Sequence, residues 1–332
     1  MITCVEPPLS QRPVRKDTRN GGNPPAPAAA LLRTGKVLYN PLVRFPSTSL
    51  LRVCLSLWLL AAAASVCLAQ QAPSPSGARI LLLPRKIVSG EHATLAVLDV
   101  AGRLTPGVRI RFSDGESVTT DVTGRALFVA PLNPGTIFAG IEGRSGRVSS
   151  NIVSETEVPT STLDVAASPR IASVSDRFEL NGHGFCGDAD ANHVTIGGSS
   201  ALVLTSSPAS LAVLPPADID PGPAKVQVSC GPKSCAPFTM VFVTLELNAS
   251  TAPLASGERR TLSVRVHGTT SKVNLEARNL APNVADLAGS NPARAETSGG
   301  ADNQAKFEVA GKRHGNFVIS IRLISPLSAP RP

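Results

Sequence analysis

Tryptophan and tyrosine are nearly missing from this sequence of 332 residues, which holds one of each. Both, Trp58 and Tyr39, lie within the first 69 residues. Sugar-binding surfaces usually set flat Trp or Tyr rings under a pyranose, so their absence from the rest of the chain disfavours carbohydrate recognition. The nine phenylalanines beyond that point (Phe112, Phe128, Phe138, Phe178, Phe185, Phe238, Phe242, Phe307 and Phe317) mostly take inward strand positions and read as core. Charge is scarce too, at 17% of residues, against about 25% in an average soluble protein. The net charge of +8 is unevenly placed. Residues 1–69 hold eight Lys or Arg against two carboxylates, so 24 basic and 22 acidic residues remain beyond them, a balance of +2. A polyphosphate backbone needs a larger electrostatic footprint than that, which sets nucleic acid aside.

Catalytic signatures are also lacking. The five histidines (His92, His183, His193, His267, His314) form no H-E-x-x-H, and no G-x-S-x-G elbow is present. Gly143-Arg144-Ser145-Gly146 sits between two expected strands, not at a strand-to-helix turn. No enzyme activity and no cofactor are expected.

What is present begins with a leader. Arg44 and Arg52 flank residues 53–66 (VCLSLWLLAAAASV), and Cys67-Leu68-Ala69 ends on a small residue. This is the tripartite form of a secretory signal over residues 43–69, with cleavage expected after Ala69. The apolar core is 14 residues long, whereas a spanning helix needs about 20. The alternative is a single N-terminal membrane anchor. Val66 before Cys67 argues against lipidation. Residues 1–42, rich in Pro, Arg and Gly, are either a disordered extension or a start placed too far upstream. The expected destination is the periplasm, the cell surface or the medium.

Beyond a Pro/Ser linker at residues 70–78, apolar residues recur every second position in short runs. Val108, Ile110 and Phe112 alternate with Arg109, Arg111 and Ser113; Leu262, Val264 and Val266 alternate with Ser263, Arg265 and His267. Period two is the mark of strands with one buried row, and helical spacing is missing. The fold class is all-β: tandem sandwiches over residues 79–153, 160–244 and 245–324, followed by a flexible tail at 325–332. The second and third modules are expected to share a strand over residues 240–247, making a stiff joint.

The first module resembles the bacterial immunoglobulin-like domains of surface proteins. Ser89-Gly90-Glu91 leading into Ala93-Thr94-Leu95-Ala96-Val97, then Pro106-Gly107-Val108, Asp121 and Gly124 carry the likeness. The second resembles the IPT/TIG domain through Pro169, Gly182-His183-Gly184-Phe185 and Val194-Thr195-Ile196-Gly197-Gly198. That likeness implies an immunoglobulin-like sandwich, with Phe185 tucked into the core. The third resembles no family beyond the general fold.

Three cysteines remain after the leader: Cys186, Cys230 and Cys235. In an immunoglobulin-like sandwich their loops lie at one end, within disulfide reach. Either Cys186 pairs with Cys230 or Cys235, or Cys230 pairs with Cys235; the longer loop favours the first.

Asp188-x-Asp190-x-Asn192 has the opening of a calcium loop, but His193 stands where glycine belongs and Ser199 where the closing carboxylate belongs. His183, Cys186 and His193 match no closed zinc spacing. A polar loop is the simpler reading of this cluster. The functional expectation is a non-enzymatic scaffold or adhesion-type protein that meets a protein partner through edge strands or end loops. A polysaccharide- or metal-binding accessory module is the alternative.

Overall fold

The computed structural model describes residues 77–158, 161–250 and 252–328. The extension at 1–42, the leader at 43–69 with its expected cleavage, and most of the 70–78 linker lie outside the described residues. Among the described residues the regular structure is strand, with two single 3-10 turns. No helix among them is long and apolar enough to cross a membrane.

The first sandwich comprises β1 (Arg79–Leu82), β2 (Lys86–Val88), β3 (His92–Asp99), β4 (Arg109–Phe112), β5 (Ser117–Thr119), β6 (Arg125–Val129), β7 (Gly135–Ile141) and β8 (Arg147–Val153). One layer is β1-β3-β6 and the other is β2-β8-β7-β4-β5. On β4 the alternation buries Ile110 and Phe112 and leaves Arg109 and Arg111 in solvent. Ile87, Leu95, Ile110 and Phe128 meet between the layers.

The second sandwich follows with β9 (Asp164–Pro169), β10 (Ile171–Ser173), β11 (Phe178–His183), β12 (Asn192–Ile196), β13 (Ser199–Ser207), β14 (Ser210–Leu214), β15 (Gly222–Cys230), β16 (Lys233–Ser234) and β17 (Phe238–Asn248). Strand β13 starts against β12 at residues 199–201 and continues against β14 from Leu202, so it belongs to both layers. Leu180, Ile196, Met240 and Phe242 fill the interior.

These two sandwiches share a device. In each, the first strand leaves one layer at a proline and joins the other, lying parallel to the final strand. Pro84 separates β1 from β2, which runs parallel to β8. Pro169 ends β9, and β10 after it runs parallel to β17. Proline lacks an N–H and so interrupts a ladder without leaving a donor unmet. The next residue supplies the first bond to the new layer: the Arg85 carbonyl accepts from Asn151 N–H at 3.1 Å, and the Arg170 carbonyl from Val241 N–H at 3.0 Å.

The third sandwich adds β18 (Arg259–His267), β19 (Asn274–Asn279), β20 (Ala285–Leu287), β21 (Ala293–Glu296), β22 (Gln304–Gly311), β23 (Ile319–Ile324) and β24 (Leu327–Ser328). Its layers are β20-β22-β18-β17 and β21-β19-β23. Val264, Leu275, Phe307 and Ile321 lie between them. The fold is therefore a tandem of immunoglobulin-like β-sandwiches.

Strand β17 serves two of them. Residues 238–242 pair with β15, and Thr244–Asn248 pair with His267–Ser263 of β18. The two paired segments are separated by Val243 alone, which is buried. Residues 327 and 328, at the start of the expected tail, instead pair as β24 with Pro169 and Ser168 of β9.

Candidate functional site

The polar cluster singled out in the sequence sits where β11 leaves the second sandwich. Gly184 holds φ at +75°, and a Cβ there would lie 1.8 Å from the Thr162 carbonyl oxygen. Both the backbone angle and the crowding require glycine. The turn returns Phe185 to the core, where it is buried. The following loop is thereby laid across the end of the sandwich.

A disulfide fixes that loop. Cys186 is joined to Cys230, with Cα atoms 5.8 Å apart. Cys230 stands opposite Asn192 on the adjacent strands β15 and β12, and the Asn192 side chain bonds the Cys186 backbone, which brings the two cysteines together. Cys235 remains a buried free thiol whose sulfur accepts from the Val228 N–H at 3.3 Å. Burial pushes its pKa up, which keeps it protonated and unreactive.

The five metal candidates are engaged in the loop's own bonds or stand apart. Asp188 accepts from the Asp190 N–H at 3.0 Å and so caps the short turn Ala189–Ala191. Asn192 is buried; its Oδ1 accepts from Cys186 N–H at 3.0 Å, and its Nδ2 faces the Cys186 and Asp188 carbonyls and the Ser206 hydroxyl. His183 Nε2 lies 3.4 Å from Thr162 Oγ1. His193 is exposed on β12, opposite Ser229. Asp190 forms an ion pair with Arg125 at 2.8 Å. Among the described residues no three His, Cys, Asp or Glu gather into a metal-binding group.

What the loop meets instead is the first sandwich. Thr94 on β3 donates from Oγ1 to the Gly187 carbonyl at 2.8 Å and accepts from Ala189 N–H at 3.0 Å. Arg125 on β6, 8% exposed, also donates from Nη1 to the Val203 carbonyl at 3.2 Å. Its Nε has no hydrogen-bond partner among the described residues. A Cβ on Gly187 would fall 2.1 Å from the His92 carbonyl oxygen, so the two backbones touch here. Ser206 stands opposite Thr94 as an antiparallel pair, which joins β13 to β3. Beside it, Ser210 Oγ accepts from Lys86 N–H at 3.2 Å and donates to the Lys86 carbonyl at 3.0 Å. Arg85 and Glu179 close the rim at 3.0 Å.

Ser206, Ser207 and Ser210 are buried at this joint, and each hydroxyl has a hydrogen-bond partner. Small hydroxyls answer strand groups that would otherwise be buried unpaired. Thr94 and Arg125 escaped notice in the sequence. The signal available was the run from Ala93 to Leu98, which has no polar row wide enough for solvent and so marks a strand covered on both faces.

A cleft of about 350 Å³ lies on the far side of β10 and β11, lined in part by Arg85, Arg177, Arg322, Asp176 and Glu179. Its charges are already matched. Arg85 pairs with Glu179 at 3.0 Å, Arg177 with Asp176 at 3.9 Å, and Arg322 with Glu276 at 2.6 Å.

The G-x-G-F turn, the strand entering the Gly197-Gly198 corner and the parallel first-to-last strand pair now stand together in one sandwich. Residues 166–242 match the IPT/TIG domain family. The IPT/TIG match begins within β9 and ends at Phe242 of β17, so it contains the loop, the disulfide and the free Cys235. No curated protein matches the sequence.

Among solved structures, SGBP-B of the Bacteroides ovatus mixed-linkage glucan utilization locus, in complex with a mixed-linkage heptasaccharide, is 11% identical at a TM-score of 0.29. That match covers 77% of this chain and 76% of the other. Domains 1–6 of the surface layer protein SbsC are 14% identical at a TM-score of 0.20, with 77% of this chain and 40% of that one covered. The full extracellular region of plexin A4 is 9% identical at 0.29, over 77% and 34% respectively. The chain thus spans less than half of the latter two. At these scores the likeness says nothing about ligand or partner.

Proposed function

We propose that this is an exported, non-enzymatic scaffold whose IPT/TIG-like sandwich locks its two neighbours into a stiff array that presents an open strand edge to a protein partner. The observation that carries the reading is the continuity of β17 through two sandwiches, together with the hydrogen-bonded joint at Thr94 and Arg125. A spacer needs that stiffness, whereas domains joined by a plain linker move independently by default.

The edge best placed for a partner is β6. Among the described residues it pairs with β3 alone, and it carries Leu127 and Val129 about half exposed on its outer face. An extended segment of another chain can add to such an edge through main-chain bonds, with apolar side chains setting the register. Export is supported by the leader over residues 43–69 and by the Cys186–Cys230 disulfide, which suits an oxidising compartment.

Two measurements test the reading. Amino-terminal sequencing of protein from the envelope or medium should begin at Gln70. A photo-crosslinking residue at position 127 or 129 should trap a protein, and Leu127→Lys should abolish the adduct with the fold intact. Retention of the full leader in the cytoplasm, or crosslinks that ignore Leu127→Lys, would overturn it.

A further inference from the structure

The first sandwich turns its five-stranded layer to solvent, and register places three residues there in one row. Arg111 of β4 is opposite Gly140 of β7, and Gly140 is opposite Arg147 of β8. Directly paired residues point to the same face, so two exposed guanidiniums flank a position that has no side chain. Two strand spacings separate their backbones, about 10 Å. Phe138, two residues along β7, shares the face and is 45% exposed. Of the nine phenylalanines read as mostly core, this one is turned outward because it follows Ile137 on a strand whose other row is buried. The floor and walls form a shallow groove of about 430 Å³.

The charge in this groove is unbalanced. Its one lining carboxylate, Glu142, is taken by Arg109 at 3.5 Å. Arg144 on the rim donates to the Gly77 carbonyl at 2.7 Å. Arg111 and Arg147 make no ion pair among the described residues, although arginines elsewhere in this sandwich do: Arg85 with Glu179, Arg103 with Asp99, Arg125 with Asp190. A Cβ on Gly140 would meet the Gly146 carbonyl oxygen at 3.1 Å and Arg147 Cγ at 3.5 Å, so the Arg147 stem leans over the glycine. Two unneutralised cations on one face suit an anion held from both sides. Guanidinium groups favour carboxylates, which they can hold by two parallel bonds.

We propose that this groove binds a polysaccharide bearing carboxylates, with a sugar ring lying on Phe138 and its carboxylate between Arg111 and Arg147. A chain of uronic acids supplies both features, an apolar C–H face for the ring and a repeating negative charge. An acidic peptide fits less well. Strand β7 is hydrogen-bonded on both sides, by β4 and β8, so the face offers no main-chain groups to an added strand. A neutral sugar would leave the charges of Arg111 and Arg147 unmatched in the groove. The preference for a glycan over a nucleic acid rests on the export proposed above; the groove itself does not depend on the β6 edge.

The test is calorimetric titration of the purified chain with oligogalacturonate, neutral galacto-oligosaccharide, poly-glutamate and a single-stranded oligonucleotide. Oligogalacturonate should bind best and weaken steeply with salt. Arg111→Gln, Arg147→Gln and Phe138→Ser should each weaken it at least about tenfold, while Lys306→Gln on the third sandwich leaves it unchanged. All three groove positions are exposed, and circular dichroism checks the folds. Equal or tighter binding of any other ligand, binding that survives the groove substitutions, or no binding at all overturns the proposal. Failure here leaves the leader sequencing and the β6 crosslinks untouched, and failure of those leaves this titration readable.

Discussion

Asp190 of the IPT/TIG-like sandwich holds Arg125 of its neighbour at 2.8 Å, and the two differ sharply in their access to water. The Arg125 side chain is 10% exposed and that of Asp190 is 65% exposed. Arginine therefore carries the burial and aspartate mainly neutralises it. Arg125→Ala should cost about 2 kcal/mol in urea unfolding, since it also leaves the buried Val203 carbonyl without its donor. Asp190→Ala should cost less, about 1 kcal/mol, because water reaches that end of the pair. If Arg125→Ala cost no more than Arg278→Ala at an exposed strand position, the joint would not be held here.

Gly187 separates the joint from the cores. Its missing Cβ faces the His92 carbonyl and nothing in its own sandwich comes nearer. Gly187→Val should thus push two sandwiches apart while both interiors stay packed, at about 1–3 kcal/mol. Calorimetry should show a broader or split transition, and small-angle scattering a more variable shape. A single sharp transition at the wild-type temperature would contradict this.

The disulfide closes a sequence separation of 44 residues. Chain entropy alone then predicts a loss of about 4 kcal/mol for the double substitution of Cys186 and Cys230 by serine. A non-reduced digest should yield the Cys186–Cys230 peptide. Cys235 should resist alkylation in the native state and react once the chain is unfolded, because burial raises its pKa.

Glu276 lies at the centre of the β21-β19-β23 layer, with Arg294 and Arg322 opposite it on either side. Burial pushes its carboxyl pKa up, but hydrogen bonds and charge from Arg322, then Arg294, outweigh this and leave it below the ordinary glutamate value. A carboxylate depressed in the folded state binds its proton more readily when unfolded. Its contribution is therefore complete above the unfolded glutamate pKa and fades as pH falls through the lower folded one. Glu276→Gln should lower the unfolding midpoint at neutral pH, and the gap should close in acid. A gap independent of pH would exclude a charge-based role.

Much of the fold was legible locally. The alternation at Ile110 and Phe112, and the continuity of residues 240–247, needed no more than side-chain direction along an extended chain. The Pro84-Arg85 and Pro169-Arg170 pairs were equally open to view, yet their meaning as layer switches depends on a last strand about 70 residues away. The polar cluster from His183 to His193 shows the limit in the other direction. Its residue types suit metal, but a ligand set is a statement about convergence, and here the neighbours are Thr94 and Arg125 from another sandwich.

The amino-acid order by itself determined which residues form strands, which rows they bury, and where glycine and proline must turn the chain, because those follow from the two-residue period and local backbone sterics. Tertiary structure alone decided that Cys186 takes Cys230, that Asp190 meets Arg125, and that Arg111 and Arg147 face one another across Gly140. Each of these depends on register between strands distant in sequence, and a shift of one residue would turn every side chain to the opposite face.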